Sequence, residues 1–289
     1  MIVDGKKIAA ELIADLKEKI SALPEKKFFG AVLVGDDPAS INFLNQKEKV
    51  ARELGIDFRL YRLPPDITTD HLRQEIGRLA KVKNCGGFIV QLPLPKEINQ
   101  HYALNAIPKE KDLDLLSESA LGAFYSGRLS IVSPAVATVQ ELLKNTYHDG
   151  LRTMTVAMVG AGFLIGKPVG FWLQSRVGEL MVFDSKSENL HERLGAADIV
   201  ISGAGQANLF SAKHLKEGAF VIDFGYSRNA EGKIAGDFDP TGAEEKNITY
   251  TKTPGGTGPI LVAELYRNFY ILNTKGVGTP GLEPGTAKV

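Results

Sequence analysis

Apolar and polar positions follow two periods along this chain, and the switches between them mark a repeating order of strands and helices. Ile8, Leu12, Ile13, Leu16 and Ile20 recur at helical spacing between Lys7 and Ser21, so one face of a helix there turns to a core. Phe28 to Val34 is a short apolar run that stops at Gly35-Asp-Asp-Pro38, a strand followed by a turn. The next helix is expected to run to about Leu54 with Ser40 as its cap, since a hydroxyl can accept from an orphan amide. Asp57 to Leu63 alternates as a strand, Thr68 to Val82 has helical spacing, and Gly87 to Val90 reads as a buried strand.

The alternation restarts after Asn145-Thr-Tyr-His-Asp-Gly150. Thr155 to Val159 and Glu179 to Phe183 are expected as strands around a helix from Gly166 to Gln174. Asp198 to Ser202 and Ala219 to Phe224 supply two more strands, and Pro259 to Leu272 returns to helical spacing. Strands that alternate with helices predict parallel sheets covered by helices, hence an α/β fold of two domains. We place an N-terminal α/β substrate domain at 1–120 and a Rossmann-type dinucleotide-binding domain at 121–258. The helix at about 259–273 is expected to return to the first domain. The Gly-, Pro- and Thr-rich tail of 274–289 lacks periodicity and is expected to be disordered.

Composition narrows the classes. The 289 residues are 44% hydrophobic and 24% charged, ordinary values for a globular chain long enough for two cores. Basic and acidic side chains number 34 each, so no surplus charge is left for nucleic acid or an anionic membrane. No apolar run approaches the roughly 20 residues of a membrane span. The start, Met1-Ile-Val-Asp-Gly-Lys-Lys, lacks the apolar core of a secretion signal. Cys85 is the single cysteine, which fits a reducing, cytoplasmic setting and excludes an internal disulfide. His71, His101, His148, His191 and His214 include no pair at metal-ligand spacing.

The clearest chemistry lies in Thr155-Val-Ala-Met-Val-Gly160-Ala-Gly162-Phe-Leu-Ile-Gly166-Lys-Pro168. A strand delivers the chain to glycines that let the backbone approach a pyrophosphate, and the helix start after them favours its charge. The spacing has one residue more than the common fingerprint. Pro168 suits a first helical turn. Asp184 ends the next strand about 20 residues on, where a carboxylate accepts from ribose hydroxyls and repels a 2′-phosphate. It therefore favours NAD over NADP, although Ser185 and Lys186 beside it could receive a phosphate. Ser202-Gly203-Ala-Gly205 reads as a second glycine turn along the dinucleotide, and Asp223, Gly225 and Tyr226 as its neighbours at the nicotinamide end.

Several strings in fixed order resemble the methylenetetrahydrofolate dehydrogenase/methenyltetrahydrofolate cyclohydrolase family. They are Val34-Gly-Asp-Asp-Pro-Ala-Ser40, Lys47-Glu-Lys49, Val90-Gln-Leu-Pro-Leu-Pro95 and Lys111-Asp-Leu-Asp114, followed in the second half by Gly166-Lys-Pro168, Ala197-Asp-Ile-Val200, Val221-Ile-Asp-Phe-Gly225, Gly236-Asp237 and Pro254-Gly-Gly-Thr-Gly-Pro259. The resemblance implies a folate cleft between the two domains and a homodimer joined through the cofactor domains. It implies oxidation of 5,10-methylenetetrahydrofolate with NAD(P)+, then hydrolysis of the methenyl product to 10-formyltetrahydrofolate. It assigns proton handling to Lys47, its neighbour's place to Gln91, and the pterin-binding carboxylate to Asp114. Phe43, Pro254, Gly255, Gly256 and Pro259 are expected to border the substrate.

Departures cluster near that cleft. Phe43 stands where the family has a tyrosine, keeping a face for stacking and losing a hydroxyl. Leu115 replaces the glycine that usually follows the aspartate, Gly162 replaces a serine preceded by Ala161, and Leu261 replaces a threonine. Only Ser133-Pro-Ala-Val136 represents the family's Pro-Cys-Thr-Pro stretch. Three readings are open: a dehydrogenase with a weakened cyclohydrolase step, both activities through compensating contacts, or a changed substrate or silent binding protein.

Overall fold

The computed structural model describes residues 1–144 and 150–274. The expected tail beyond Thr274 and the linker residues Asn145–Asp149 lie outside the described residues. Strand β1 (Ile2–Val3) and helix α1 (Gly5–Ser21) open the chain. Contacts divide the described residues into two compact units, Leu12–Ser133 with the part of the last helix from Val262, and Met1–Glu11 with the described residues of Pro134–Leu261.

The first unit is built on β2 (Phe28–Val34), β3 (Asp57–Leu63) and β4 (Cys85–Val90), parallel and in the order β3-β2-β4. Every residue of β2 and β4 is buried, as in strands covered on both faces, and the outer side of β4 is covered by a bridge from Phe88 to Asp112, whereas β3 shows exposed and half-buried positions in near alternation. Helices α2 (Pro38–Leu54) and α3 (Thr69–Ala80) make the crossovers. The cap of α2 differs from expectation: Asp37, not Ser40, is the N-cap, and its side chain accepts from the Ser40 amide at 2.7 Å. Pro38 supplies a preset first turn, so the helix starts earlier, and Gly55 ends it in the left-handed region at φ 71°.

Helices α4 (Gln100–Leu104) and α5 (Glu118–Tyr125) complete the first unit. They also explain why a boundary at residue 120 misplaces 121–133. Ser117 caps α5 through the Ala120 amide, so a cut at 120 would sever a helix, and the Asn268 side chain donates to the Val132 carbonyl at 2.8 Å.

The second unit opens with α6 (Pro134–Leu143) and continues through β5 (Thr155–Val159), α7 (Gly166–Leu173), β6 (Glu179–Phe183), α8 (Leu190–Arg193) and β7 (Ile199–Ser202). The short strands β8 (Phe210–Ser211) and β12 (Phe238–Asp239) pair in parallel around β9 (Phe220–Asp223) and a small hairpin, β10 (Ser227–Arg228) with β11 (Ile234–Ala235). After β13 (Thr249–Thr251), helix α9 (Thr257–Thr274) closes the described chain. The sheet is parallel with order β1-β13-β9-β7-β5-β6. From β5 the chain adds β6 on one side, then reverses to add β7, β9 and β13 on the other, where β1 from the chain's start forms the edge. The switch point of such a sheet, past the strands' C-terminal ends, is where α/β folds bind ligands.

The N-terminal residues belong here, not with the first unit as expected. Ile2 and Val3 pair with Tyr250 and Thr251, and the Met1 amino group donates to the Ile248 carbonyl at 2.7 Å. Among the described residues no helix is long and apolar enough to cross a membrane.

Candidate active site

In the first unit, Lys47 is drawn inward by its helix. The buried positions of α2 are Ser40, Leu44, Lys47, Ala51 and Leu54, so the lysine occupies the core-facing stripe. It is 9% exposed and donates from Nζ to Gln91 Oε1 at 2.8 Å. Gln91 follows the C-terminal end of β4. Its backbone amide donates to the Val32 carbonyl and its Nε2 to the Leu92 carbonyl at 2.7 Å, which turns Oε1 toward the lysine. Burial holds the Lys47 amine below the usual lysine range, and the charge of Asp114 opposes that shift. Asp114, half-buried, is pushed up by desolvation and drawn back by Lys47. Each of the two groups thus opposes the shift that burial imposes on the other.

The loop carrying Asp114 hangs on a residue not singled out in the sequence, Asp112. Its carboxylate is 1% exposed and accepts from the Leu116 amide at 3.0 Å and the Ser117 amide at 2.7 Å. Just before them Leu115 adopts φ 56°, the left-handed region where glycine is at ease. That conformation costs a leucine about 1–2 kcal/mol. Its buried side chain, 2% exposed, contributes about 2 kcal/mol, so the substitution is tolerable. Phe43 is partly buried one turn before Lys47, on the same helix face.

In the second unit, the glycines after β5 are of two kinds. A Cβ on Gly166 would lie 1.9 Å from the Gly160 carbonyl oxygen, and one on Gly160, at φ 94°, would lie 2.8 Å from the Ala204 amide. A Cβ on Gly203 would strike the Ile165 side chain at 2.8 Å. These three let the first loop fold against the second. At Gly162 a Cβ would meet nothing within 4 Å. Packing does not require that glycine, and the space it leaves stands before the first turn of α7, which contains Pro168. The second loop, with Gly205 at φ 70°, is held by Asp237, another residue quoted only as part of a string. Fully buried, Asp237 accepts from Ser202 Oγ at 2.5 Å and from the amides of Ala204 and Gln206 at 2.7 and 2.8 Å.

Asp223 is buried, and both its oxygens accept backbone amides, from Gly225 at 2.7 Å and Phe238 at 3.0 Å, so the carboxyl holds the chain together at this strand end. Gly225 is likewise a packing glycine, since a Cβ there would lie 2.4 Å from Asp237. The Pro254–Pro259 segment is tied to the same strand end: Thr257 Oγ1 donates to the Asp223 carbonyl at 2.8 Å. The segment begins with a cis Thr253–Pro254 bond. Gly255 has φ 101°, and a Cβ on Gly256 would lie 2.5 Å from the Lys252 carbonyl. Gly5, unremarked in the sequence, packs on it so closely that its own Cβ would lie 1.9 Å from the Gly256 oxygen. Tyr226 is exposed.

Burial raises the Asp223 carboxyl from 3.8 to about 7. A proton is therefore held in the folded state and lost in the unfolded state between those values, so its contribution to stability falls as pH rises from about 4 to 7. The shift corresponds to at most about 4 kcal/mol. The stability deficit of Asp223→Asn is expected to narrow over that range in denaturant titrations. A constant difference from pH 4 to 8 would refute the assignment.

Asp184 lies exposed just beyond β6. Its amide donates to Ser187 Oγ at 2.9 Å, while Oδ1 accepts from the Lys186 amide at 2.9 Å and Ser187 Oγ at 3.1 Å. The Lys186 amide, chiefly, holds the carboxyl below its usual range, so it is an anion at neutral pH. Ser185 and Lys186 are exposed beside it. The open space at Gly162, the helix start and this carboxylate together fit a dinucleotide.

Residues 3–114 match the tetrahydrofolate dehydrogenase/cyclohydrolase catalytic domain, and residues 133–276 match the NAD(P)-binding domain of the same family. The chain belongs to the tetrahydrofolate dehydrogenase/cyclohydrolase family. It is 34% identical to the bifunctional protein FolD of Bacillus subtilis over 270 residues, 92% of this chain and 95% of that protein. The crystal structure of the bifunctional enzyme FolD from Campylobacter jejuni superposes with a TM-score of 0.89 at 31% identity, covering 95% of this chain and 99% of that one. The Trypanosoma brucei enzyme, solved with NADP and an inhibitor, gives a TM-score of 0.88 at 27% identity, covering 96% and 99%. The family's two domains account for the α/β fold and for NAD(P) as cofactor.

Proposed function

We propose that this chain oxidises 5,10-methylenetetrahydrofolate with NAD(P)+ and then hydrolyses the methenyl product to 10-formyltetrahydrofolate, with Lys47 handling protons. The observation that carries the residue assignment is the buried lysine held at 2.8 Å by Gln91 and balanced by Asp114. When bound, the dinucleotide supplies the two-electron acceptor for the substrate's methylene carbon. Gly162 and the start of α7 would hold its pyrophosphate, with Gly160 and Gly166 letting the loops close and Pro168 set in the first helical turn; Gly203 and Gly205 would border it, and Asp184, with Ser185 and Lys186, would meet its adenosine ribose. In the second step a water oxygen adds to the methenyl carbon and its proton passes to the neutral Lys47 amine. The bond from that carbon to N5 then breaks: the added hydroxyl gives up its proton and becomes the formyl carbonyl, N5 takes the electron pair and a proton from the Lys47 ammonium, and one proton is released overall. Asp114 accepts from pterin N–H groups, and the Phe43 ring offers a stacking face.

Phe43 removes a hydroxyl, but Lys47 is already oriented by Gln91, which supports both activities in place of the first alone. Pro254, Gly255, Gly256 and Pro259 are assigned to the substrate's surroundings on the family resemblance. The same resemblance supports a homodimer, and the single buried Cys85 supports a cytoplasmic setting.

The reading is tested by following reduced nicotinamide and methenyl absorbance together with NAD and with NADP. The wild type is expected to prefer NAD, and Asp184→Ser to move the ratio of kcat/KM toward NADP by about tenfold. An unchanged ratio refutes the ribose assignment. No reduction of either dinucleotide by a folded protein refutes the dehydrogenase reading.

A further inference from the structure

Lys47, Gln91 and Asp114 stand on three separate segments, and the C-terminal part of α9 grips the backbone of each. Tyr266, fully buried, donates its hydroxyl to the Lys47 carbonyl at 2.6 Å. Asn268, 3% exposed, donates Nδ2 to the Leu113 carbonyl, next to Asp114, at 2.9 Å and to the Val132 carbonyl. Asn273 donates to the Gly86 carbonyl at 2.9 Å, in the strand that leads to Gln91. The Tyr266 ring meanwhile packs 5.0 Å from Phe29 of β2. One side chain thus touches both the helix that carries the lysine and the strand whose Val32 carbonyl receives the Gln91 amide. The Nζ–Oε1 contact spans those two layers, so their spacing sets it.

An apolar ring would fill the same space beside Phe29. A carbonyl inside a helix also has its partner in the helical ladder and needs no second donor. The hydroxyl, which finds its own partner there, thereby ties α9 to the Lys47 backbone, a tie that an apolar ring would lack. We propose that Tyr266 and Asn268 are positioning residues, with α9 acting as a brace that fixes the Lys47 and Asp114 backbones at the separation their chemistry needs. This rests on the roles assigned above to Lys47 and Asp114.

The test compares the full-length wild type with Tyr266→Phe and Asn268→Leu, and with Phe58→Leu as a packing control, since Phe58 stacks on Phe29 at 5.5 Å. Two readings are taken: the pH dependence of Lys47 acetylation by acetic anhydride, without substrate, and kcat and KM for hydrolysis of 5,10-methenyltetrahydrofolate across pH. In Tyr266→Phe the amine gains water, so its titration is expected to move up by about half a unit. Its kcat for hydrolysis is expected to fall about three- to tenfold at unchanged KM. Asn268→Leu is expected to raise KM, because Asp114 shifts. Phe58→Leu is expected to lower thermal stability and move neither titration nor kcat. Titration and kcat unchanged in Tyr266→Phe, with only stability lowered, overturns the brace, and that variant decides alone if Asn268→Leu does not fold. A shifted titration with unchanged hydrolysis supports the brace and instead overturns the role of Lys47.

Discussion

Lys47→Met is expected to slow hydrolysis of 5,10-methenyltetrahydrofolate by about a thousandfold while leaving a folded protein that still binds dinucleotide. Methionine keeps most of the lysine's length on the buried stripe of α2 and removes only the amine. Because a buried amine is costly to desolvate, the variant should be no less stable than the wild type. The loss falls on hydrolysis because that step needs a group to take the proton of the attacking water. Asp114 provides a second check with a definite sign. Its charge raises the Lys47 pKa, so Asp114→Asn should lower it further and move the acid limb of the hydrolysis profile to lower pH. A limb that moves upward, or hydrolysis in Lys47→Met within threefold of wild type, contradicts the proton-handling role.

Gly166→Ala is expected to weaken dinucleotide binding by at least about a hundredfold and to destabilise the second unit by about 3 kcal/mol or more. The new methyl would lie 1.9 Å from the Gly160 carbonyl oxygen, a backbone atom that no rotamer change can move aside. The start of α7 must then withdraw from the end of β5, and the two loops no longer close on each other. Gly162→Ala makes the informative contrast. Its methyl would meet no protein atom, so stability should stay within about 1 kcal/mol of wild type, the helix-start position being tolerant. Yet it would occupy the space assigned to the pyrophosphate, so affinity should still fall. Thermal unfolding and titration calorimetry separate the two effects. Wild-type affinity in Gly162→Ala would mean that this loop is not the cradle.

Much of this architecture is legible in the chain because its central strands are apolar runs with abrupt ends. Thr155–Val159 and Glu179–Phe183 are read to the residue, since Gly160 ends the first and Gly178 and Asp184 bound the second. The start of α2 is misread because Asp37 and Pro38 cap it better than Ser40 can. Strands β1 and β13 escape notice for a different reason: at two and three residues they have no period, and their pairing joins opposite ends of the chain. The candidate site divides the same way. Lys47, Gln91 and Asp114 are singled out by the family strings that carry them, while the burial of Lys47 on the stripe of Leu44, Ala51 and Leu54 is shown only by the fold. Asp112 and Asp237 are invisible to spacing, because a carboxylate that accepts backbone amides leaves no pattern among side chains. The Gly5–Gly256 contact joins residues 251 positions apart, and only the fold brings them together.

The central claim is most directly tested by supplying the wild-type protein with 5,10-methylenetetrahydrofolate and NAD+ or NADP+, then quenching at intervals and separating the folates. The account predicts loss of the methylene form, transient methenyl and accumulation of 10-formyltetrahydrofolate, with one reduced dinucleotide for each substrate consumed. Unchanged methylenetetrahydrofolate, in a protein shown to be folded and to bind the dinucleotide, would contradict it.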